Sequence, residues 1–212
     1  MKNIFTIILF FCLIFEAKAE TYDTSWGFSI NVNDEFIYMG EGNLDFALEY
    51  GKKNNLFNSR QIDQLRNALK DPRMIMFLSK KYPKAQINAN TQKGSQKPPR
   101  NKKQINAFCE AMVKNYTSMI GSKVKLVDCE LDFVAEKQSF KYPNLNKDKI
   151  DSIILLQTFV KKYSRSQYQY YVTQDNQVTT FTLGCDIKNC AYLNTELLKI
   201  VNSIKFIKKK YY

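Results

Sequence analysis

The chain of 212 residues contains no histidine. That absence removes Ser-His-Asp and Cys-His catalysis, HExxH zinc sites and the side chain that most often shuttles protons near neutral pH. Glycine is scarce, at seven residues, and neither a G-x-x-x-x-G-K nor a G-x-G-x-x-G string occurs, so no phosphate-cradling loop is visible. Beyond the first twenty residues no apolar run approaches the ~18 residues of a membrane-spanning helix. These absences speak against an enzyme and against membrane-spanning segments, and no cofactor is expected.

What is present begins with a leader. Met1-Lys2 precedes the apolar run from Ile4 to Phe15, and Ala17-Lys18-Ala19 follows. A basic start, a short apolar stretch and an A-x-A site read as a signal peptide over residues 1–19, cleaved after Ala19. Cys12 lies inside the apolar run without small residues before it, so lipid attachment there is not expected. Residues 20–212 then form one domain, exported to the bacterial periplasm or beyond the cell.

Charge is unevenly spread. Thirty-two basic residues stand against twenty acidic ones, a formal +12. Lys93, Lys97, Arg100, Lys102 and Lys103 fall in one stretch with Gly94, Pro98 and Pro99 and no apolar residue, which reads as an exposed loop over 93–103. Lys208, Lys209 and Lys210 sit near the end. One reading is a contact surface for an anionic or protein partner in the cell envelope; the other is a solvated, lysine-rich exterior. No aromatic is interleaved with these charges, so nucleic acid is not the expected partner.

Four cysteines follow the leader: Cys109, Cys129, Cys185 and Cys190. In an exported chain an even number points to disulfides, with a four-thiolate zinc site as the alternative, although neither spacing is C-x2-C. Geometry favours one pairing. Ile105, Phe108, Cys109, Met112, Tyr116, Met119 and Ile120 recur at steps of three and four, one face of a helix. After Gly121-Ser122, Val127, Cys129, Leu131 and Phe133 alternate with Asp128, Glu130 and Asp132, a half-buried strand. From Cys109 to the helix end is roughly 15 Å and the strand returns ~20 Å to Cys129, so the two sulfurs come to similar heights. Cys185–Cys190 then closes a small loop.

Around this helix and strand the chain reads as follows. Trp26, Phe28, Ile30 and Val32 alternate as a first strand, and Phe36 to Met39 forms a second. Leu44, Phe46 and Ala47 begin a short helix, and Ser59 is the expected N-cap of another carrying Ile62, Leu65 and Leu69. Met74 to Leu78 reads as a buried strand, and polar Ala85 to Gln92 as at most an edge strand. A polar turn region over 141–149 precedes three strands: Ile153 to Val160, one with Tyr168, Tyr170 and Val172, and one with Phe181, Leu183 and Cys185 on one face. Asn194 is the expected N-cap of a last helix with Leu197, Leu198, Val201 and Ile204.

That order, ending in Val201-Asn202-Ser203-Ile204-Lys205-Phe206 and opening with Trp26-Gly27-Phe28-Ser29-Ile30, resembles the PsbP/DcrB-like family. The resemblance implies an α+β fold, an antiparallel β-sheet with helices packed on its faces. It implies little about function, because the family mixes photosystem subunits, periplasmic proteins, lipoproteins and binding adaptors. The helix near Ser59 to Leu69 and the pair Cys185 and Cys190 lie outside the family pattern.

Other chemistry is weaker. Asp128, Glu130 and Asp132 form a row on one strand face that suits calcium or a basic partner, or simply water; no metal site is expected. Asp45 and Glu49, one helical turn apart, are an acidic pair or surface charge. Tyr163, Tyr168, Tyr170, Tyr171 and Phe159 form either a ligand surface or ordinary cross-strand packing. Asn115-Tyr116-Thr117 matches a glycosylation acceptor but falls on the helix. The sequence thus points to an exported, non-catalytic binding protein acting through basic surface, with a carrier of a small apolar molecule as the alternative.

Overall fold

The computed structural model describes residues 19–24, 27–40, 42–71, 73–93, 99, 101–132, 152–160, 162, 164–174 and 177–206. The leader before Ala19, Trp26, the turn region over 141–149, Tyr163 and Lys208 to Lys210 lie outside them. In chain order the elements are β1 (Glu20–Asp23), β2 (Phe28–Val32), β3 (Phe36–Met39), α1 (Leu44–Lys53), α2 (Ser59–Ala68), β4 (Met74–Ser79) and β5 (Gln86–Lys93). There follow α3 (Lys102–Ile120), β6 (Val124–Asp132), β7 (Ser152–Val160), β8 (Arg165–Gln174), β9 (Gln177–Asp186), α4 (Ile187–Asn202) and β10 (Lys205–Phe206). Seven strands form one antiparallel sheet in the order β3-β4-β5-β9-β8-β7-β6, and β1-β2-β10 form a smaller one. The architecture is α+β, as the resemblance implies.

Strand periodicity gives the large sheet two different faces. On one, Ile87, Phe181, Leu183, Tyr170 and Ile153 meet α4 through Leu193, Leu197 and Val201, and meet β2 through Phe28 and Ile30. This layer is filled; Phe28 and Phe181 bring their rings to 6.5 Å. On the other face, α1 and α2 cover β3 and β4 through Ala47, Leu48 and Leu69 against Ile37, Met39 and Leu78. Further along the same face, α3 covers β7 and β8 through Cys109 against Ile154, Leu156 and Tyr171.

Several sequence expectations are corrected. The N-cap of α2 is Asn58, which forms a capping box with Gln61, so Ser59 is already helical. Asp186 precedes α4, and Asn194 is mid-helix, where it accepts a 2.7 Å hydrogen bond from the Tyr170 hydroxyl. The last helix stops at Asn202, and Lys205–Phe206 pairs with β2 as a strand. A strand absent from the sequence reading, β1, pairs with β2 on its other side. Strand β5 is not an edge; it lies between β4 and β9. Met119, on the expected apolar stripe of α3, is 81% exposed, whereas Tyr116 and Ile120 on either side of it are half-buried, so the packed face passes through those two and leaves Met119 outside.

Core and surface leucines should separate sharply in urea unfolding. Leu197 is fully buried, so Leu197→Ala should cost ~2–5 kcal/mol. Leu126 is 38% exposed, and Leu126→Ala should stay within about 1 kcal/mol. Equal midpoints for the two variants would contradict the layer assignment.

Candidate functional site

The helix–strand unit α3–β6 brings Cys109 and Cys129 together at disulfide distance, with Cα atoms 6.4 Å apart. Cys185 and Cys190 meet where β9 passes into α4, at 5.3 Å between Cα atoms. Beneath α3, Gln169 is buried yet fully engaged. Its side-chain amide donates to Tyr116 Oη and its carbonyl accepts from Tyr171 Oη at 2.8 Å, and the two phenols stand 3.4 Å apart. Burial, and then Tyr116, raise the Tyr171 phenol well above its ordinary range, so it remains a neutral donor. This closed ring, with Phe108 edge-on to Tyr171 at 5.1 Å, fixes α3 to the sheet.

The basic stretch is only partly a loop. Lys93 is the last residue of β5, paired with Gln177, and Lys102 and Lys103 open α3 as exposed residues of its first turn. Phe108 lies on Tyr171 and Tyr116 on Gln169, so α3 starts at the end of the sheet where β5 and β8 finish. Lys93, Lys102 and Lys103 therefore share that end. Lys97, Arg100, Lys208, Lys209 and Lys210 lie outside the described residues. Asn101 caps α3 by accepting the Gln104 N–H at 3.0 Å, and the first turn holds no acidic residue.

The other candidates disperse. A register shift between Leu126 and Asp128 interrupts the alternation of β6 and leaves Val127 half exposed. Asp128 pairs with Gln157, while the Glu130 and Asp132 side chains lie outside the described set. Among the described residues no cluster of His, Cys, Asp or Glu is arranged to hold a metal. Asp45 pairs with Arg66 at 2.6 Å, tying α1 to α2, and does not act with Glu49. The tyrosines are divided between faces: Tyr168 and Tyr170 on the α4 side, Tyr171 under α3. Among the described residues these tyrosines form no single ligand surface.

One concavity was not foreseen. A cavity of about 430 Å³ opens between β1, the β2–β3 turn, β3 and α1. Its floor is the buried trio Val32, Phe36 and Ile37. Tyr22, Phe46 and Tyr50 add aromatic walls, and Glu20, Asp34 and Lys80 carry charge around it. Tyr22 stacks on Tyr38 at 4.2 Å and donates to the Glu20 carboxylate. Burial, then Glu20, push its phenol up to about 12. The signal that could have found this place is Phe46, which stands off the Ala47–Leu48–Gly51 stripe and is 61% exposed.

Among solved structures, cyanobacterial PsbP (CyanoP) of Synechocystis aligns over 90% of this chain and 93% of its own, with a TM-score of 0.53 and 9% identity. The fold is PsbP-like. A structure from Bacteroides thetaiotaomicron aligns over 91% of this chain and 50% of its own, at 7% identity and a TM-score of 0.37, too low to carry weight. No protein-family model matches the chain, and no curated protein matches it. The likeness to PsbP is therefore one of architecture. None of the described helices is long and apolar enough to cross a membrane.

On this PsbP-like frame the two cysteine pairs close loops of very different length, with sequence separations of 20 and 5. Loop-closure entropy assigns ~3 kcal/mol to the longer and ~2 kcal/mol to the shorter. Replacing Cys109 and Cys129 together by alanine should lower unfolding free energy more than replacing Cys185 and Cys190. Denatured, unreduced protein should show no free thiol among these four; four free thiols would remove both bonds.

Proposed function

We propose that the protein is an exported, non-catalytic binding protein of the bacterial envelope that meets an anionic or protein partner through its basic surface. The placement of Lys102 and Lys103 supports this reading. The N-terminus of a helix carries roughly half a positive charge, so each cation there costs about 0.3–1 kcal/mol where a carboxylate would contribute a similar gain. Two exposed lysines with no acid beside them conflict with what the helix itself prefers. A local conflict without structural gain is expected where a surface serves a partner. The lysines and the partial positive charge of the helix start favour the same kind of partner, a negatively charged one.

The absence of histidine and of catalytic strings supports a non-catalytic role, and two paired-cysteine loops are compatible with an oxidising compartment. A carrier of apolar molecules finds less support. The layer between sheet and α4 is occupied by side chains at or near zero exposure, and the 430 Å³ cavity has carboxylates and a lysine in its lining.

The double variant K102E/K103E separates function from stability. It should unfold at slightly higher urea, by about 1 kcal/mol in free energy, because the charges now match the helix dipole. It should also lose retention on native envelope fractions, and the wild-type retention should fall as salt rises. Wild-type retention by the variant, insensitive to salt, would sink the proposal.

A further inference from the structure

The cavity between β1, β3 and α1 has a chemistry opposite to that of the α3 N-terminus. On a chain of formal charge +12, its lining sets two carboxylates, Glu20 and Asp34, against one ammonium, Lys80. Four aromatic residues share that lining, Phe36 in the floor and Tyr22, Phe46 and Tyr50 in the walls. Aromatic faces carry partial negative charge and attract cations that have shed some of their water, more so beside a carboxylate. The volume, about 430 Å³, falls within the range of small-molecule sites and exceeds what one water or one metal ion occupies.

We infer that this cavity is a binding site for a small organic ammonium ion, held by cation–π contact with Tyr22, Phe46 and Tyr50 and by the Glu20 and Asp34 carboxylates. The site is partly preorganised. Tyr22 is fixed by its stack on Tyr38 and by its hydrogen bond to Glu20, so little side-chain entropy is lost there on binding. Phe46 has a different status. At 61% exposure it adds little to the α1–α2 core, in which Ala47 and Leu48 are the buried residues of the same helix, and a ligand in the cavity would give its ring a partner. An anion is disfavoured by the same charges, and a purely apolar molecule would leave the carboxylates partly desolvated without a partner. The inference concerns another surface than the envelope-binding proposal and is made for the full chain; cleavage after Ala19 would add the α-ammonium of Glu20 beside the cavity, and a chain so cleaved should bind a cation more weakly.

Choline and its uncharged isostere 3,3-dimethylbutanol test it. Both fill the same volume, and they differ in charge. In calorimetric titration of the full protein, choline should bind at least ~5-fold more tightly than the isostere, the lower end of what cation–π and carboxylate contacts supply. Phe46→Ala and the double variant E20Q/D34N should each weaken choline by about 3-fold or more. Lys80→Gln should tighten it, a gain that a merely apolar hole would not show. All four side chains are at or near the surface, and unchanged urea midpoints will show that the fold is retained. Equal binding of the two probes, no binding of choline, or indifference to these substitutions would each overturn the assignment.

Discussion

The large sheet depends on one ladder. Strands β3, β4 and β5 come from the first half of the chain, and β6 to β9 from the second. Among the described strands they are joined where β5 pairs with β9, from Gln86 opposite Gly184 to Lys93 opposite Gln177. On the core side of that ladder Ile87 and Ala89 face Leu183 and Phe181, and Thr91 shares a buried 2.8 Å hydrogen bond with Thr179, 88 residues away. On the other side Asn88 and Asn90 stand opposite Thr182 and Thr180, half-buried between the helices α2 and α3. The junction thus draws on apolar burial from one face only, and its backbone hydrogen bonds carry correspondingly more of the pairing. Because these contacts are far apart in sequence, they are expected to form late and to benefit from whatever shortens the remaining loops.

The same ladder explains what the sequence could and could not reveal. Elements whose apolar residues follow a single period were legible: the Cys109 face of α3, the fully apolar β7, and the Phe181–Leu183–Cys185 face of β9. Strand β5 was not, because Asn88, Asn90 and Thr91 read as an exposed edge, and only its partners on both sides make it internal. Asn194 misled for a related reason. The amide that suits an N-cap is equally suited to a tertiary hydrogen bond, and here the Tyr170 hydroxyl takes it. Strands β1 and β10 are short and exist through their pairing with β2, a non-local fact. The cavity was invisible for the same reason: β1, the β2–β3 turn, α1 and Lys80 meet only in the fold.

Electrostatics along the helices sharpens the contrast between fold and function. Helix α1 follows the dipole rule, with Asp45 in its first turn and Lys52 and Lys53 in its last. Helix α3 has no acid in its first turn and no base in its last, and starts instead on Lys102-Lys103. Helices α2 and α4 also lack an acid in their first turn and carry Arg60 and Lys188 there, so α3 stands out only in placing two adjacent exposed lysines at its start. The lysines of α1 fall where the helix dipole favours them, whereas those of α3 fall where it opposes them.

A helix that begins on unfavourable charge needs its stability from elsewhere, and α3 has two such sources. Cys109, two turns after Lys102, is at disulfide distance from Cys129 on the neighbouring strand. Two turns further on, Tyr116 joins the buried ring with Gln169 and Tyr171. Both anchors lie on the sheet-facing side and leave the first turn exposed, so Lys102 and Lys103 keep their charges while the helix stays fixed to the sheet. The cysteine pair between α3 and β6 is therefore structural in its chemistry: it holds to the sheet a helix whose first turn carries charge that its own dipole opposes.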